Sequence, residues 1–364
     1  MSRRVFVHIG LPKTGTSYLQ AILWGHRDQL REAGLLLPGR AKRDHLLSSM
    51  IVRQDLGVHR RGPGATGAWS AVRKDIEGFD GDAVISHEFF SAARSDQAAT
   101  MVADLAPAEV HVVVTARDPL GIFTSSWQEH LKNKGTQPLE EYGLRESDDS
   151  RAVWNWRSLD LGLVLGRWGS VVSPDRVHVV VAPGAEHPRE ELWRRFSGVV
   201  GVDPAVVGEP EAFANPTMGV VEAETLRRVN RRLTGSWNAY NRGRFIRALL
   251  ADRFLATRTG EPFWPGEDQI ADARARGRRA VELVRASSYD VVGDLDDLLV
   301  PEELPARRHP SSVTDTEVAA VAVTLVASLL GEVRDRSTLP GAAPPPASGA
   351  RAWVGRLRRR LTSR

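Results

Sequence analysis

The sequence predicts an α/β fold in which a parallel sheet is flanked by helices and followed by a mostly helical region. Short apolar segments alternate with helix-like segments through about the first 200 residues, which is typical of parallel strands joined by helical crossovers. Three polar clusters also stand in or directly after this pattern, next to apolar segments. Because ligands bind beyond the carboxyl ends of the strands in such a sheet, we expect these clusters to meet in one crevice.

The first unit of this fold is a strand, a loop and a helix. Residues 5–10 form a short apolar run. From Thr16 to about Ala33, leucine and isoleucine recur at helical spacing, and the pattern stops at Gly34. The intervening loop therefore lies at the carboxyl end of the first strand.

Three more strands are predicted at residues 83–86, 110–115 and 177–181. The first of these ends in His87 and Glu88, and the second is followed by Arg117. Asp118 and Pro119 then form a typical helix start, an N-cap residue followed by proline at the first helical position. This helix is predicted to continue to about residue 134.

Residues 1–335 are predicted to form one domain, with the core sheet in about 1–200 and a mostly helical region in about 200–335. The clearest helices of that region lie at 222–233 and 316–330, and we expect them to build the acceptor side of the site. Residues 336–349 are rich in proline, alanine and glycine and are predicted to be a linker. Residues 350–364 form a basic tail.

The basic tail has an amphipathic pattern. Its apolar residues fall on one helical face: Trp353, Val354, Leu357 and Leu361. Six arginines surround them: Arg351, Arg356, Arg358, Arg359, Arg360 and Arg364. Such a segment could make peripheral contact with an anionic membrane, and the alternative is an exposed basic tail without function.

Composition excludes several classes of protein. The chain has 364 residues and no cysteine, so disulfides, thiolate catalysis and cysteine-bound metals are excluded. Its net charge is only +4 and its aromatic share 7%, which does not favour a nucleic-acid partner. We find no window of about 18 apolar residues and no signal h-region, and therefore expect a cytoplasmic protein.

The loop from Gly10 to Ser17 reads Gly-Leu-Pro-Lys-Thr-Gly-Thr-Ser. Glycine permits close backbone approach, and the following helix start offers unpaired amides and a positive dipole end. The sequence therefore predicts an anion site in a sheet of the P-loop type. Gly10 and Gly15 have the spacing of an ordinary phosphate loop, but Thr16 stands where that motif has its lysine. Because Lys13 lies inside the loop instead, a nucleoside triphosphate kinase is disfavoured.

The run from Pro12 to Ser17 resembles the 5′-phosphosulfate loop of sulfotransferases that use 3′-phosphoadenosine 5′-phosphosulfate (PAPS), in particular bacterial, actinobacterial-like members. The resemblance implies that Lys13 contacts the bridging and sulfuryl oxygens. The other loop residues are implied to hold the 5′-phosphate through amides and hydroxyls: Thr14, Gly15, Thr16 and Ser17. Tyr18 falls where a tryptophan often stacks on adenine. A weaker resemblance extends from Trp154 to Val181, where we expect the tryptophans to be core residues.

Arg117 and Ser125 carry a second resemblance. They stand eight positions apart, which is the spacing of the family's 3′-phosphate site. A guanidinium grips a phosphate through two donors, and a serine hydroxyl completes its shell. Ser126 is the alternative contact if the helix is rotated. The late Arg-Lys-Gly segment of the animal cytosolic enzymes is not evident, and Arg242 or Arg244 could substitute for it.

Sulfuryl transfer needs a cation at the leaving phosphate oxygen and a base for the acceptor proton. Lys13 is the expected cation. His87 and Glu88 are the candidate bases. Cytosolic sulfotransferases use a histidine in this part of the fold, whereas carbohydrate and several bacterial sulfotransferases use a glutamate, so Glu88 is favoured. The alternative is that Glu88 only caps the following helix while His87 packs against it. His8 and His130 are expected to be structural or rim residues.

The expected function is therefore transfer of a sulfuryl group from PAPS to a hydroxyl or amine of a small-molecule, carbohydrate or lipid acceptor. No metal is expected, because no acidic or histidine cluster has ligand spacing. Two alternatives stay open: a P-loop kinase or other phosphotransferase, and a noncatalytic nucleotide-binding protein. The sequence does not specify the acceptor or the oligomeric state.

Overall fold

The computed structural model describes residues 3–143, 145–184, 187–188, 190–208 and 217–337. Six strands lie in this part of the chain: β1 (Arg4–His8), β2 (Leu35–Leu36), β3 (Asp82–Ser86), β4 (Glu109–Ala116), β5 (Val177–Val181) and β6 (Asp290–Val292). They form one sheet in the order β2-β3-β1-β4-β5-β6, and every pair is parallel. The α/β prediction with a parallel sheet is therefore confirmed.

Helices cover the sheet and extend beyond it. The described α-helices are α1 (Thr16–Gly25), α2 (Arg27–Glu32), α3 (Lys42–Val52), α4 (Ala68–Glu77), α5 (Ser95–Asp104), α6 (Pro119–Lys132), α7 (Trp156–Leu159), α8 (Leu161–Trp168), α9 (Glu191–Val200), α10 (Val220–Arg232), α11 (Ala239–Asn241), α12 (Glu267–Arg285) and α13 (Asp315–Ser337). A π-helix follows α11 over Arg242–Leu255. Short 3₁₀ turns include Leu56–Arg60, Glu88–Ala92 and Leu295–Leu298.

The central strands are buried on both faces, which explains their nearly continuous apolar sequences. In register, Val7 of β1 lies opposite Ile85 of β3 and Val112 of β4. One face of the sheet packs against a core that contains Trp127 and Trp168, and the other packs against a core around Leu19, Trp193 and Phe196. The helical layers thus fix the strand ends from both sides.

The predicted helix from Thr16 to about Ala33 is wrong as a single helix. It breaks at His26, whose backbone (φ −116°, ψ 28°) leaves the helical region, and α1 and α2 result. The helix start at Asp118 is confirmed, because its Oδ1 accepts a hydrogen bond from the Gly121 amide at 2.6 Å. That helix ends at Lys132, two residues before Lys134 adopts a left-handed conformation (φ 73°).

The helical region contains α10 and α13 at the predicted places. Contrary to the expectation from sequence, Asp315–Arg336 is long and apolar enough to cross a membrane by length and composition, with a mean hydropathy of 1.7. Helix α13 continues to Ser337, into the predicted linker. The remainder of that linker and the basic tail at 350–364 lie outside the described residues.

Candidate active site

A cavity of about 2010 Å³ opens beyond the carboxyl ends of β1, β3 and β4. The sequence-predicted residues that line it are Lys13, Thr14, Gly15, Thr16, Ser17, Tyr18, Glu88, Arg117 and Ser125. Further polar lining comes from Gln128, Glu129, Lys132, Arg247 and Asp252. Three segments that are far apart in sequence therefore meet in one crevice, as the strand pattern predicts.

The loop before α1 depends on two glycines. Gly10 (φ 44°) and Gly15 (φ 88°) have left-handed backbones. An added Cβ would lie 2.4 Å from Cγ2 of Thr16 at the first position and 2.3 Å from Cδ2 of Leu192 at the second, so a side chain fits at neither. Lys13 also has a positive φ, 72°, a conformation that is uncommon for residues other than glycine.

The amino terminus of α1 faces the cavity without a side-chain cap. Gly15 is its N-cap residue, no side chain accepts from the first turn, and that turn contains no acidic residue. The first amides of a helix have no partner within the helix, and its dipole favours an anion there. This ten-residue helix therefore offers the anion site that the sequence predicts.

The hydroxyl of Thr14 makes hydrogen bonds within the protein. It donates to the carbonyl of Leu11 at 2.6 Å and lies 2.7 Å from Oγ1 of Thr115 on β4. Thr14 and Thr16 are both buried, whereas Ser17 is exposed. Thr16 and Ser17 both line the cavity, and Ser17 is the more exposed of the two, whereas Thr14 fixes the loop to the sheet.

Lys13 belongs to a network of charges inside the cavity. Its Nζ lies 3.3 Å from Oε2 of Glu129 on α6. Arg247 from the π-helix pairs with the same carboxylate, and Lys132 pairs with Asp252 at 2.6 Å. Three cations and two carboxylates thus lie around one part of the cavity, so an entering anion changes these pairings.

Burial lowers the pKa of Lys13 to about 8, and the positive charges of Lys132 and Arg247 add to that effect. The negative charges of Glu88 and Asp252 oppose it. A lysine with this pKa is charged at neutral pH and loses its charge only slightly above it. An anion bound beside Lys13 would favour the charged form.

Glu88 and His87 have different surroundings although they are neighbours in sequence. His87 is buried and caps the Glu88–Ala92 turn, since its Nδ1 accepts from the Phe89 amide at 3.1 Å. Glu88 lines the cavity and accepts a hydrogen bond from Nε2 of Gln20 at 3.1 Å. The capping role that was the alternative for Glu88 is therefore taken by His87.

These surroundings also set the ionisation of the two groups. Burial lowers the pKa of His87, which favours its neutral form. Burial alone would raise the pKa of Glu88, but His87, the local amide, Gln20 and Lys42 outweigh it, and the pKa falls below its usual value. Glu88 is consequently an ionised carboxylate at the cavity wall.

The two serines of the predicted 3′-phosphate site are distinguished by their contacts. Ser125 lines the cavity together with Arg117. Ser126 is fully buried, donates to the carbonyl of Phe123 at 2.8 Å, and lies 3.2 Å from the hydroxyl of Tyr142. Arg117 hydrogen-bonds to the adjacent Asp118 at 3.4 Å. Ser125 is therefore the serine on the cavity side of α6.

The arginines suggested as replacements for the missing Arg-Lys-Gly segment point elsewhere. Arg242 donates to the carbonyl of Trp237 at 2.6 Å, and Arg244 donates to the hydroxyl of Tyr240 at 2.9 Å. Neither lines the cavity. Arg247 of the same π-helix does line the cavity.

The prediction that the tryptophans are core residues holds only in part, whereas the two remaining histidines lie as expected. Trp156 and Trp168 are core residues as expected, but Trp154 is 37% exposed and lines the cavity beside Phe89, with ring centroids 6.2 Å apart. His8 is buried between Ser86 and Thr115, at 2.8 and 3.2 Å. His130 packs against Tyr142. Both histidines are structural.

Glu129, Lys132, Arg247 and Asp252 were missed by sequence reasoning. For the first two a signal existed, because they follow Ser125 by four and seven positions on one helix and so share its face. No such signal marks Arg247 and Asp252, since a π-helix turns with i to i+5 spacing rather than the usual helical period. Within the described ranges, no group of three or more histidine or acidic side chains is arranged to hold a metal ion.

The fold and the site define an α/β protein whose first strand-loop-helix unit places an uncapped helix start at its cavity. No family model matches the sequence, and no curated protein matches it. A solved structure described as a sulfotransferase from Alicyclobacillus acidocaldarius is similar to it, with 15% identity and a TM-score of 0.43. The match covers 78% of this chain and 97% of that one.

Proposed function

We propose that this protein is a sulfotransferase that transfers a sulfuryl group from PAPS to a hydroxyl or amine of an acceptor. One observation carries the proposal: the uncapped start of α1, Lys13, Glu88 and the pair of Arg117 and Ser125 all face the same cavity. A donor with a 5′-phosphosulfate and a separate 3′-phosphate needs two anion sites with a cation and a base nearby.

The residues present fit such a donor. The α1 amides and the exposed hydroxyl of Ser17 suit the 5′-phosphate. Arg117 suits the 3′-phosphate, because its guanidinium holds only a long contact to Asp118 and has donors left for an anion. Tyr18 lines the cavity next to the loop, where its ring suits the adenine. The donor supplies the activated sulfuryl group.

The two catalytic roles follow from charge. The acceptor oxygen forms a bond to sulfur as the bond from sulfur to the phosphate oxygen breaks. Glu88, ionised at the cavity wall, takes the acceptor proton. Lys13 stabilises the negative charge that grows on the departing phosphate oxygen, an effect that is large in a cavity shielded from water.

The acceptor is expected to enter beside Glu88. Phe89 and Trp154 line the cavity there and present apolar rings, which suit the face of a sugar or a phenyl ring. Small-molecule, carbohydrate and lipid acceptors all match this description.

Thermal unfolding with 3′-phosphoadenosine 5′-phosphate tests the proposal, because a ligand that binds only the folded state raises the midpoint. We expect a rise with this bisphosphate that is larger than the rise with ATP and magnesium and that is lost in Arg117→Ala. Arg244→Ala is the matched control, since Arg244 is exposed and lies outside the cavity lining. Stabilisation by ATP alone would contradict the proposal and would indicate a phosphotransferase instead.

A second measurement separates an enzyme from a binding protein. Purified protein with labelled PAPS and a panel of phenol, sugar and lipid acceptors should yield labelled product, and Lys13→Ala should abolish it. Tight bisphosphate binding without turnover on any acceptor would support a noncatalytic nucleotide-binding protein instead.

A further inference from the structure

The outer face of α13 is apolar and uncovered. Its most exposed large residues are Val323 (71%), Val326 (55%), Leu330 (65%) and Val333 (65%). They follow one another at spacings of three, four and three, which places them on one side of the helix. We call these four residues the α13 outer face.

The opposite side of α13 holds the helix against the body of the protein. Val321 and Leu325 are buried in the main core. Ion pairs fix both ends: Glu317 with Arg308 at 2.7 Å near the start, and Glu332 with Arg253 at 2.7 Å near the finish. In this fold α13 therefore lies along the surface, although its length and mean hydropathy would suit a membrane span.

No charged residue interrupts the outer face. The 14 residues from Val318 to Gly331 contain no aspartate, glutamate, lysine or arginine. The exposed side chains thus form a continuous apolar stripe, which is unusual for a helix surface in contact with water.

The chain that follows is strongly basic. Residues 336–364 contain seven arginines and no acidic residue. Since the whole chain has a net charge of +4, residues 1–335 have a net charge of −3. Six of these seven arginines lie in residues 351–364, so the positive charge is concentrated after the predicted linker.

We propose that the α13 outer face and the basic segment 336–364 together dock the protein on an anionic lipid surface. Apolar side chains of a surface helix enter the boundary between headgroups and acyl chains, and nearby arginines are attracted to anionic headgroups. Two such signals are needed for stable peripheral binding, because one alone gives only marginal affinity.

A second copy of this chain is a poorer fit to the same surface. The outer face consists of four side chains, whereas a stable protein interface takes roughly 20 to 30 residues on each side. A second copy carries the same seven positive charges in residues 336–364 and so offers these arginines no opposite charge. An anionic lipid surface matches both the apolar stripe and the charge.

Vesicle co-sedimentation of the full-length protein tests this proposal without any use of enzymatic activity. Phosphatidylcholine vesicles with phosphatidylserine should bind the wild type, and vesicles of phosphatidylcholine alone should bind it much less. Binding should weaken as salt is added, because surface charges are screened. We expect Val323→Glu with Leu330→Glu to weaken binding by at least about tenfold, since two apolar groups no longer enter the lipid.

Leu56→Glu is the matched control, because Leu56 is as exposed as Val323, at 71%, but lies in the Leu56–Arg60 turn. It should bind like the wild type. The uncharged pair Val323→Ser with Leu330→Ser provides a variant without new charge if the glutamates lower the unfolding midpoint. Replacement of Arg358, Arg359 and Arg360 by glutamine should weaken the salt dependence, because three of the seven positive charges are removed.

Three outcomes would overturn the proposal. The wild type fails to bind phosphatidylserine vesicles, the serine pair binds them as well as the wild type does, or the protein is a dimer that these α13 substitutions dissociate. The last result would assign the α13 outer face to a second copy. None of these outcomes bears on bisphosphate binding, so the proposed sulfotransferase function stands or falls separately.

Discussion

Nζ of Lys13 lies 3.3 Å from Oε2 of Glu129, so the loop lysine is paired, within the cavity, with a carboxylate from α6. Arg247 contacts the same carboxylate. A bound anion and Glu129 therefore compete for the same two cations. The affinity for an anion should therefore depend on Glu129, which lies outside the loop.

Glu129→Gln is expected to bind 3′-phosphoadenosine 5′-phosphate more tightly, with a dissociation constant lower by about threefold to tenfold, since the cations keep their charge and lose their internal partner. The same change should lower the unfolding midpoint of the ligand-free protein, because two partly buried cations are left without this carboxylate. Isothermal titration and thermal unfolding measure the two effects.

Glu282→Gln on α12 is the control for that substitution, since Glu282 is exposed and outside the cavity lining. It should change neither quantity. Weaker binding by Glu129→Gln would mean that Glu129 holds Lys13 in position for the donor rather than competing with it.

The separate roles of Glu88 and His87 give a second prediction. Glu88→Gln should reduce transfer by a factor of about 100 to 10,000, the usual contribution of a general base, and should leave the bisphosphate dissociation constant nearly unchanged. His87→Ala removes the cap of the Glu88–Ala92 turn and should lower the free energy of unfolding by about 1 kcal/mol. Its transfer rate should fall less than that of Glu88→Gln.

Steady-state kinetics measure the transfer rate of both variants, and chemical denaturation measures their free energy of unfolding. If Glu88→Gln retains full activity, Glu88 is not the base. A loss of activity in His87→Ala that exceeds the loss in Glu88→Gln would move the role to the histidine.

The charge of Lys13 gives a third prediction, on pH. Because Lys13 must be protonated to stabilise the leaving oxygen and its pKa is about 8, kcat/KM should fall as the pH rises through 8, by about tenfold for each further unit. At the acid end, the lowered pKa of Glu88 keeps the base ionised below the usual range for glutamate. A profile of kcat/KM from about pH 3 to about 10 tests both limbs.

Lys13→Arg is the informative variant for this profile. Arginine stays charged throughout this range, so any residual activity should lose its alkaline fall. If the fall persists in Lys13→Arg, another group causes it.

Local motifs explain why part of the site could be predicted from sequence. The loop is a contiguous run from Gly10 to Ser17 between a strand and a helix, and a glycine-containing loop before a helix is a recurring anion-site arrangement. Ser125 was predicted from its eight-residue spacing to Arg117, which resembles the family's 3′-phosphate site, and that resemblance left Ser126 open as the alternative. The parallel sheet followed from the apolar segments, except for β2 and β6, which have two and three residues and are too short to show a period.

The other features could not be predicted from the sequence, because they depend on contacts between distant segments. The inward turn of the Thr14 hydroxyl depends on Thr115, which lies 101 residues later. The placement of Arg247 depends on a π-helix, which a period of 3.6 does not describe. The exposure of the α13 outer face could not be predicted either, because it depends on which side of the helix packs against the core.

The adjacent serines of α6 give the last prediction, because they are equal in chemistry and opposite in orientation. Ser125→Ala should weaken bisphosphate binding by about threefold to tenfold, the loss of one hydrogen bond to a charged group, without changing the unfolding midpoint of the free protein. Ser126→Ala should do the reverse. It removes the partner of the buried Tyr142 hydroxyl, so the free energy of unfolding should fall by about 1 to 3 kcal/mol.

Bisphosphate titration and chemical denaturation of both variants decide the matter, and each serine serves as the control for the other. Weakened binding in Ser126→Ala at unchanged stability would mean that α6 is rotated relative to the cavity and that Ser126 is the 3′-phosphate contact. Retained affinity in Ser125→Ala together with lost affinity in Arg117→Ala would leave the guanidinium as the main 3′-phosphate contact, since its several donors hold a phosphate without the serine hydroxyl.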